Sequence, residues 1–273
     1  MGKAIVIDGL QVTNPLCTVT FSGTPAENAI SAYLAANTSI NITEKEALSN
    51  FVEGLINANL WDKIKYFYPL LGDNVADAVL EVVSPSTEDL FVDNTSGLSV
   101  SSRKLIANNR PDSEINTSTR AQALDISKIG MILAGGSNIA ATQAARFLVN
   151  NSIVNAVGLS ISKDTYKYPL FENKTQIYES RSSVYTKVKR EVFGTTVSGV
   201  GYLYDGTTQL ATGSLDIPTG TLKSSFGILS NSRAMDYEYD FFAITEGMTT
   251  ADWLVFYPLL MTFLQAVGKR SEL

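Results

Sequence analysis

A long series of short alternating segments is the feature that most limits how this chain can fold. From about residue 85 to 247 the sequence is rich in Ser, Thr, Asn, Gly and β-branched residues, and turn residues separate the segments. GYLYDGTTQLATGS is one example, and its Asp205-Gly206 pair is a strong β-hairpin signal. Many short strands joined by turns are typical of an antiparallel β-sandwich or jelly roll.

Helical patterns precede this region. Thr24 followed by Glu27 predicts a capped helix start, and a second capping box is predicted at Thr43 with Glu46. Apolar residues then recur at helical spacing. The segment NANLWDKIKYFYPLLG is predicted to be a further helix that ends at Gly72.

The C-terminal segment returns to a helical pattern. Thr249 and Asp252 predict its start, and residues 251–266 are almost entirely apolar, which is typical of a buried or interfacial helix. We therefore predict a β-rich α+β protein, in which a C-terminal helix packs on an antiparallel jelly-roll sandwich. Its regions are 1–84 (N-terminal strands and helices), 85–247 (sandwich) and 248–273 (C-terminal helix).

The composition argues against several kinds of chemistry. The 273 residues include no His and one Cys, Cys17, which excludes Ser-His-Asp and Cys-His catalysis, His-ligated metals and intrachain disulfides. The net charge of −6, without a long basic run, argues against nucleic acid as a partner. The C-terminal helix is too short, and too interrupted by Pro258, to span a membrane. We expect no cofactor and no bound metal.

The pentapeptide FYPLL occurs twice, at residues 67–71 and 256–260. The flanking sequences differ and the two copies lie at different distances from their predicted helix starts, so an internal duplication is rejected. Pro69 is predicted to end a helix, whereas Pro258 is predicted to kink one or to begin its second half.

Three short motifs follow one another in the N-terminal region: FV-x-GL, LW-x-K and YP-x-x-G. They resemble a pattern of bacteriophage virion proteins, where it leads into a concanavalin-A-like (LamG-like) jelly roll. The closing stretch from Gly247 to Arg270 also resembles the C-terminal helix of that family, with Met248 and Pro258 as departures. The matching N-terminal residues are Phe51, Val52, Gly54, Leu55, Leu60, Trp61, Lys63, Tyr68, Pro69 and Gly72.

The resemblance implies a non-enzymatic structural protein of the virion, on the head or the tail, present in multiple copies. Its partners would be other virion proteins and further copies of itself. Two alternatives stay open: a carbohydrate-binding adhesin or receptor-binding module that faces a host surface glycan, and a jelly-roll glycoside hydrolase.

Two sets of aromatic residues are candidate contacts. The first lies in a segment dense in Lys, Arg and Asn, where we expect a partner or a glycan, although a polar loop and edge strand would have the same composition. It comprises Tyr166, Tyr168, Phe171, Tyr178 and Tyr185. The second set is expected at an interface, or packed on the chain's own sandwich. It comprises Trp61, Tyr68, Trp253, Phe256 and Tyr257.

The segment DYEYDFF is the best hydrolase candidate. Glu238 and Asp240 match part of a Glu-x-Asp-x-x-Glu pattern, but Ala243 stands where the second Glu belongs. Strand alternation predicts Glu238 and Asp240 on a solvated face, with Tyr239 and Phe241 on the core face. We therefore expect no catalytic residue.

Calcium is the remaining metal candidate, because carboxylate oxygens suit it. No loop of the Asp-x-Asp-x-Asp type is present, so isolated surface residues are the favoured interpretation. The candidates are Asp73, Asp77, Asp89, Asp93 and Asp205.

Overall fold

The structure is a computed structural model. It describes residues 5–7, 10–13, 18–21, 23–83, 91–92, 98–101, 103–107, 114–116, 124–137, 145–149, 157–161, 165–168, 177–180, 188–215, 221–222, 226–230 and 237–270.

The described helices are α1 (Pro25–Ala36), α2 (Ile42–Asn57), α3 (Val75–Ala78) and α4 (Thr250–Ala266). Thr24 caps α1 and Thr249 caps α4, each in a capping box as predicted. The predicted cap of α2 at Thr43 is wrong. Asn41 caps that helix and pairs with Glu44, because an Asn three residues before a Glu forms the same box two residues earlier.

The described strands are short in most of the chain, as the alternating pattern predicted. In chain order they are β1 (Ile5–Ile7), β2 (Leu10–Thr13), β3 (Thr18–Phe21), β4 (Ile64–Tyr68), β5 (Phe91–Val92), β6 (Leu98–Ser101), β7 (Lys104–Ala107), β8 (Glu114–Asn116), β9 (Leu124–Asp125), β10 (Ile129–Ser137), β11 (Ala145–Val149), β12 (Val157–Ile161), β13 (Thr165–Tyr168), β14 (Ile177–Ser180), β15 (Val188–Val197), β16 (Val200–Asp205), β17 (Thr208–Ser214), β18 (Thr221–Leu222), β19 (Phe226–Ser230) and β20 (Tyr237–Glu246).

Two large antiparallel sheets dominate the fold. The eight-stranded sheet has the order β17-β16-β15-β10-β20-β7-β6, and β4 pairs with β20 beside β7. The seven-stranded sheet has the order β14-β13-β12-β11-β19-β8-β5. Strands β1–β3 form a small separate sheet, and β9 pairs with β18. The Asp205-Gly206 signal is confirmed, because β16 and β17 form a hairpin in which Asp205 pairs with Thr208.

The predicted helix over residues 57–72 is wrong. Trp61–Lys63 form one 3₁₀ turn, and the chain then extends into β4, whose residues pair with Phe242–Thr245 of β20. Aromatic and β-branched residues fit an extended strand that is buried on both faces. The N-terminal region thus supplies a strand to the large sheet.

The helices cover one face of the eight-stranded sheet. Successive residues of β10 face opposite sides of this sheet. Ile132 and Ala134 lie in the helix-side cluster, while Met131 and Leu133, which alternate with them, are fully buried outside that cluster. The second set faces the sandwich interior, toward the seven-stranded sheet, where Leu159 is also fully buried. A jelly-roll sandwich with a C-terminal helix packed on it is therefore confirmed.

An aromatic cluster holds the helix layer on the sheet. Phe51 of α2 stacks on Phe263 of α4 at 5.1 Å and meets Phe256 at 5.6 Å edge to face. The Phe51 ring also contacts Phe67 of β4 and Phe241 of β20. Of the helices in the described ranges, none has the length and apolar content needed to cross a membrane.

Candidate functional site

The ribbon formed by β13 and β14 ends the seven-stranded sheet. The two strands are antiparallel, with Thr165 opposite Ser180 and Tyr168 opposite Ile177. The ribbon contacts β16 and β17, which end the eight-stranded sheet, so it lies where the edges of the two sheets meet. Helices α1, α2 and α4 pack on the other side of the eight-stranded sheet.

Three of the five predicted contact residues lie on this ribbon. Tyr166 and Tyr168 belong to β13, and Tyr178 belongs to β14, where it pairs with Lys167. Phe171 and Tyr185 lie outside the described residues. Tyr166 and Tyr168 occupy alternate positions of β13, whereas Tyr178 pairs with Lys167, the residue between them.

The predicted interface residues divide into two groups. Tyr68, Trp253 and Phe256 are fully buried within the chain, so they pack on the chain's own sheet and helices. Trp61 and Tyr257 are only partly buried. The exposed apolar residues of α4 are instead Leu254 and Val255, at 50% and 48% exposure, which the sequence did not single out.

A buried charge cluster follows the end of α4. Arg270 donates from Nε to Oε1 of Glu191 at 2.6 Å and from Nη1 to Oδ2 of Asp240 at 2.5 Å. Asp240 is fully buried, and the Arg270 side chain is 7% exposed. Burial lowers the pKa of Arg270, but the charges of Asp240 and Glu191 outweigh it and raise that pKa overall. The cluster is therefore a tight set of ion pairs.

Lys269 extends the same cluster. It is 3% exposed, and its Nζ donates to three backbone carbonyls, those of Pro69 at 3.1 Å, Leu70 at 2.7 Å and Asp240 at 2.9 Å. With Arg270, it provides two positive charges beside the negative charges of Asp240 and Glu191. The four charges balance, as burial away from water requires.

The predicted solvated face around Asp240 is wrong. Ala134 of β10 pairs with Phe241 and Gly135 pairs with Tyr239, so Asp240 has no Cα partner on β10 and forms a β-bulge. Phe241 lies in the helix-side cluster, and the bulge interrupts the alternation at Asp240, between Phe241 and Tyr239. The chain after α4 then covers Asp240.

This geometry bears on the hydrolase alternative. A catalytic carboxylate pair needs one acid that can take up and release a proton in a cleft. Asp240 is instead enclosed and paired with Arg270, and Ala243, which occupies the second carboxylate position, is fully buried beneath the helices. Glu238 is partly buried on the same strand. The arrangement suits packing and charge pairing.

The calcium candidates have other partners where the structure describes them. Asp73 pairs with Arg103, which also donates from Nε to Glu44 at 2.6 Å. Asp77 accepts hydrogen bonds from Ser39 N at 3.0 Å and Asn74 Nδ2 at 2.9 Å. Asp205 ends β16, and Asp89 and Asp93 lie outside the described residues. Across the described ranges, no group of three or more Asp, Glu or Cys residues is arranged to hold a metal ion.

Sequence reasoning missed the charge cluster. Gly268 and Arg270 belonged to the matched C-terminal pattern, but nothing local indicates that Arg270 binds carboxylates 30 and 79 residues away in sequence. The only sequence signal is the presence of Lys269 and Arg270 just after the helix. Lys and Arg are exposed in most proteins, so this signal does not predict a buried cluster.

No protein-family model matches the sequence, and no curated protein matches it. Solved structures do resemble the fold. The botulinum neurotoxin serotype D binding domain matches with a TM-score of 0.56 at 12% identity, over 75% of this chain and 52% of that chain. A Trypanosoma rangeli sialidase in complex with sialic acid matches with a TM-score of 0.52 at 12% identity, over 95% of this chain and 44% of that chain. This chain thus spans about half the length of either structure, and the likeness shows the fold alone.

Proposed function

We propose that this chain is a glycan-binding domain without catalytic activity, and that the β13–β14 ribbon contacts the sugar. The observation that carries the proposal is the placement of Tyr166 and Tyr168 at alternate positions of β13, which belong to one face of the ribbon at the end of the seven-stranded sheet. Aromatic rings provide rigid apolar faces on which sugar rings stack. The sialic acid bound by the Trypanosoma rangeli sialidase, a structure with a similar fold, supports this choice of ligand.

Glycan binding is tested first by screening the purified chain on a glycan array, followed by calorimetry with the best ligand. We expect Tyr166→Ala and Tyr168→Ala each to weaken binding about tenfold, the loss expected for one aromatic contact. Tyr202→Ala, the same change on the eight-stranded sheet, is the matched control and should leave the affinity unchanged. Equal affinities in all variants, or no glycan bound by the native chain, would refute the proposal.

The absence of catalysis belongs to the same proposal. It is supported by the ion pair between Asp240 and Arg270, which occupies the carboxylate that best matched a hydrolase motif. Incubating the bound glycan with the chain and analysing the products by mass spectrometry tests it. Cleavage that Glu238→Gln abolishes would show that the chain is a hydrolase.

We also propose a second function, that of a virion structural protein that contacts other virion proteins and copies of itself. Its support is the sequence resemblance together with the exposed apolar residues Leu254 and Val255, which are neighbours on α4. Exposed apolar side chains that lie together indicate a contact surface.

Light scattering across a concentration series tests the self-association. A discrete oligomer that Leu254→Glu dissociates, while Thr262→Glu on an exposed position of the same helix does not, is the expected result. A monomer at all concentrations would refute self-association and leave glycan binding as the proposed function.

A further inference from the structure

Helix α4 has apolar side chains on nearly every side. Between Ala251 and Ala266, only Asp252, Thr262 and Gln265 are polar. The helix buries Trp253, Phe256, Leu260, Phe263 and Leu264, while Leu254 and Val255 are about half exposed. The hydrophobic effect is not directional. A rotated α4 with Leu254 facing the sheet would therefore still bury apolar side chains, although it would lose the stacking of Trp253 on Phe193.

Polar contacts at the two ends of α4 do separate these orientations. At the start, Lys63 Nζ pairs with Asp252 at 2.6 Å, and Trp253 Nε1 donates to the carbonyl of Gly206 at 2.8 Å. Beyond the last turn, Gly268 takes a positive φ of 72°, and the chain turns so that Lys269 and Arg270 enter the buried cluster.

The contacts after α4 favour the observed orientation more strongly than the contacts at its start. The Lys63 and Asp252 side chains keep 32% and 20% of their exposure, so water can replace either partner. Asp240 and Glu191 keep 0% and 9%, and a rotated α4 would leave both carboxylates buried without Arg270. Buried ionic groups contribute little net stability, and their best-established role is to fix register between packed elements.

We propose that Glu191, Asp240, Lys269 and Arg270 form an orientation lock, whose role is to fix the rotation of α4 on the sheet rather than to add stability. The lock keeps Leu254 and Val255 facing outward. This inference does not depend on the proposed function, because it concerns which side of the helix the fold presents.

Cysteine accessibility tests the lock. In a Cys17→Ser background, Leu254→Cys reports the outward side of α4 and Leu260→Cys reports the inward side. The ratio of their alkylation rates, measured with iodoacetamide, gives the orientation of the helix. With the lock intact, we expect Leu254→Cys to react about a hundredfold faster, since a buried thiol reacts only when the helix opens.

The decisive comparison removes all four charges together, which leaves no buried charge unpaired. The substitutions are Glu191→Gln, Asp240→Asn, Lys269→Met and Arg270→Met. We expect this chain to unfold cooperatively, with the ratio of rates reduced about tenfold or more because both orientations become populated. Lys65→Met, a lysine-to-methionine change outside the lock, is the control and should leave the ratio unchanged.

Two outcomes would overturn the proposal. An unchanged ratio in the folded four-site variant would mean that apolar packing alone sets the orientation. Loss of cooperative unfolding in that variant would assign the four charges to the stability of the whole fold. As a second variant, Arg270→Lys keeps the charge but loses the two-carboxylate geometry, and the lock predicts a smaller decrease of the ratio in the same direction.

Discussion

Gly130 lies where the eight-stranded sheet is most tightly packed. A Cβ added there would overlap the Oγ1 of Thr245 and lie 3.3 Å from both a ring carbon of Phe193 and the Oγ1 of Thr195. All of these neighbours are buried, so none can move aside into solvent. At this position the absence of a side chain is a packing requirement.

We therefore expect Gly130→Ala to lower the free energy of unfolding by about 1–3 kcal/mol, the usual effect of overpacking a dense core. Thr245→Ala removes the closest obstacle, so the double variant should recover at least half of the loss. Urea unfolding of the two single variants and the double variant measures this coupling. Additive effects would show that Thr245 is not the obstacle.

The two tryptophans differ in their surroundings. Trp253 is fully buried, stacks on Phe193 at a centroid distance of 4.7 Å, and donates its Nε1 proton to Gly206. Trp61 is only partly buried and contacts Phe67 edge to face at 6.4 Å.

We expect Trp253→Ala to lower the free energy of unfolding by about 3–5 kcal/mol, as for other buried large aromatics. Trp61→Ala should cost clearly less, because part of its ring is already in water. Denaturant unfolding of both variants checks the order. A larger effect of Trp61→Ala would mean that the 3₁₀ turn before β4 anchors the helix layer more strongly than α4 does.

At the scale of elements, the turns that join β15 to β16 and β16 to β17 require backbone conformations with positive φ. Gly199 has φ +78° in the first turn and Gly206 has φ +57° in the second. A Cβ on Gly199 would meet nothing within 4 Å, but one on Gly206 would lie 3.2 Å from the hydroxyl of Tyr257. The second turn is docked against α4, whereas the first has open space around it.

This difference makes the two glycines a matched pair. Gly199→Ala should cost about 1 kcal/mol, the conformational penalty of a side chain in the left-handed region. Gly206→Ala should lower the free energy of unfolding by more, because the close contact with Tyr257 adds to the same conformational penalty. Thermal unfolding of the two variants tests the order, and equal costs would show that Tyr257 moves aside freely.

The strand β4 shows how an element can depend on its partner. Its local sequence predicts the end of a helix. In the structure it pairs instead with β20, along the part of that strand that follows the residues paired with β7. In that position Tyr68 stacks on Phe242 at 5.1 Å. β4 makes its backbone hydrogen bonds to β20 and is buried on both faces, so tertiary context overrides local propensity.

At the scale of the whole molecule, several carboxylates tie distant parts of the chain together. Burial raises the pKa of Asp252, but hydrogen bonds from Lys63 and Thr249 lower it by more, so the pKa lies below its ordinary value. Asp77 behaves in the same way through Ser39 and Asn74. A carboxyl whose pKa is lower in the folded chain stabilises the fold above its unfolded pKa of about 4, and this contribution is lost as the pH falls through the folded value.

We accordingly expect the free energy of unfolding to decrease from about pH 5 downward, with a shallower decrease in Asp77→Asn and in Asp252→Asn. The exposed Asp62→Asn is the control and should follow the native curve. Urea unfolding at a series of pH values measures the slopes. Identical slopes in the native chain, Asp77→Asn and Asp252→Asn would contradict the assigned hydrogen bonds.

The FYPLL pentapeptide shows that the local sequence does not by itself fix the secondary structure. The first copy begins in β4 and the second lies within α4, which stays a single helix through Pro258. Pro258 is exposed, so the carbonyl that loses its hydrogen bond faces water. The same pentapeptide thus begins in a strand in one copy and lies in a helix in the other, because each copy packs against different parts of the chain.

The sequence by itself determined the strand-rich sandwich, the capping boxes of α1 and α4, the hairpin at Asp205-Gly206 and the apolar character of α4. Each of these depends on residues within about one helical turn or one β-turn of each other, so the signal is local. Only the tertiary structure decided the strand identity of β4, the bulge at Asp240 and the burial of Lys269 and Arg270. These features depend on groups that meet across tens to hundreds of residues, and their burial is favourable only once the sheet and the helix layer supply partners together.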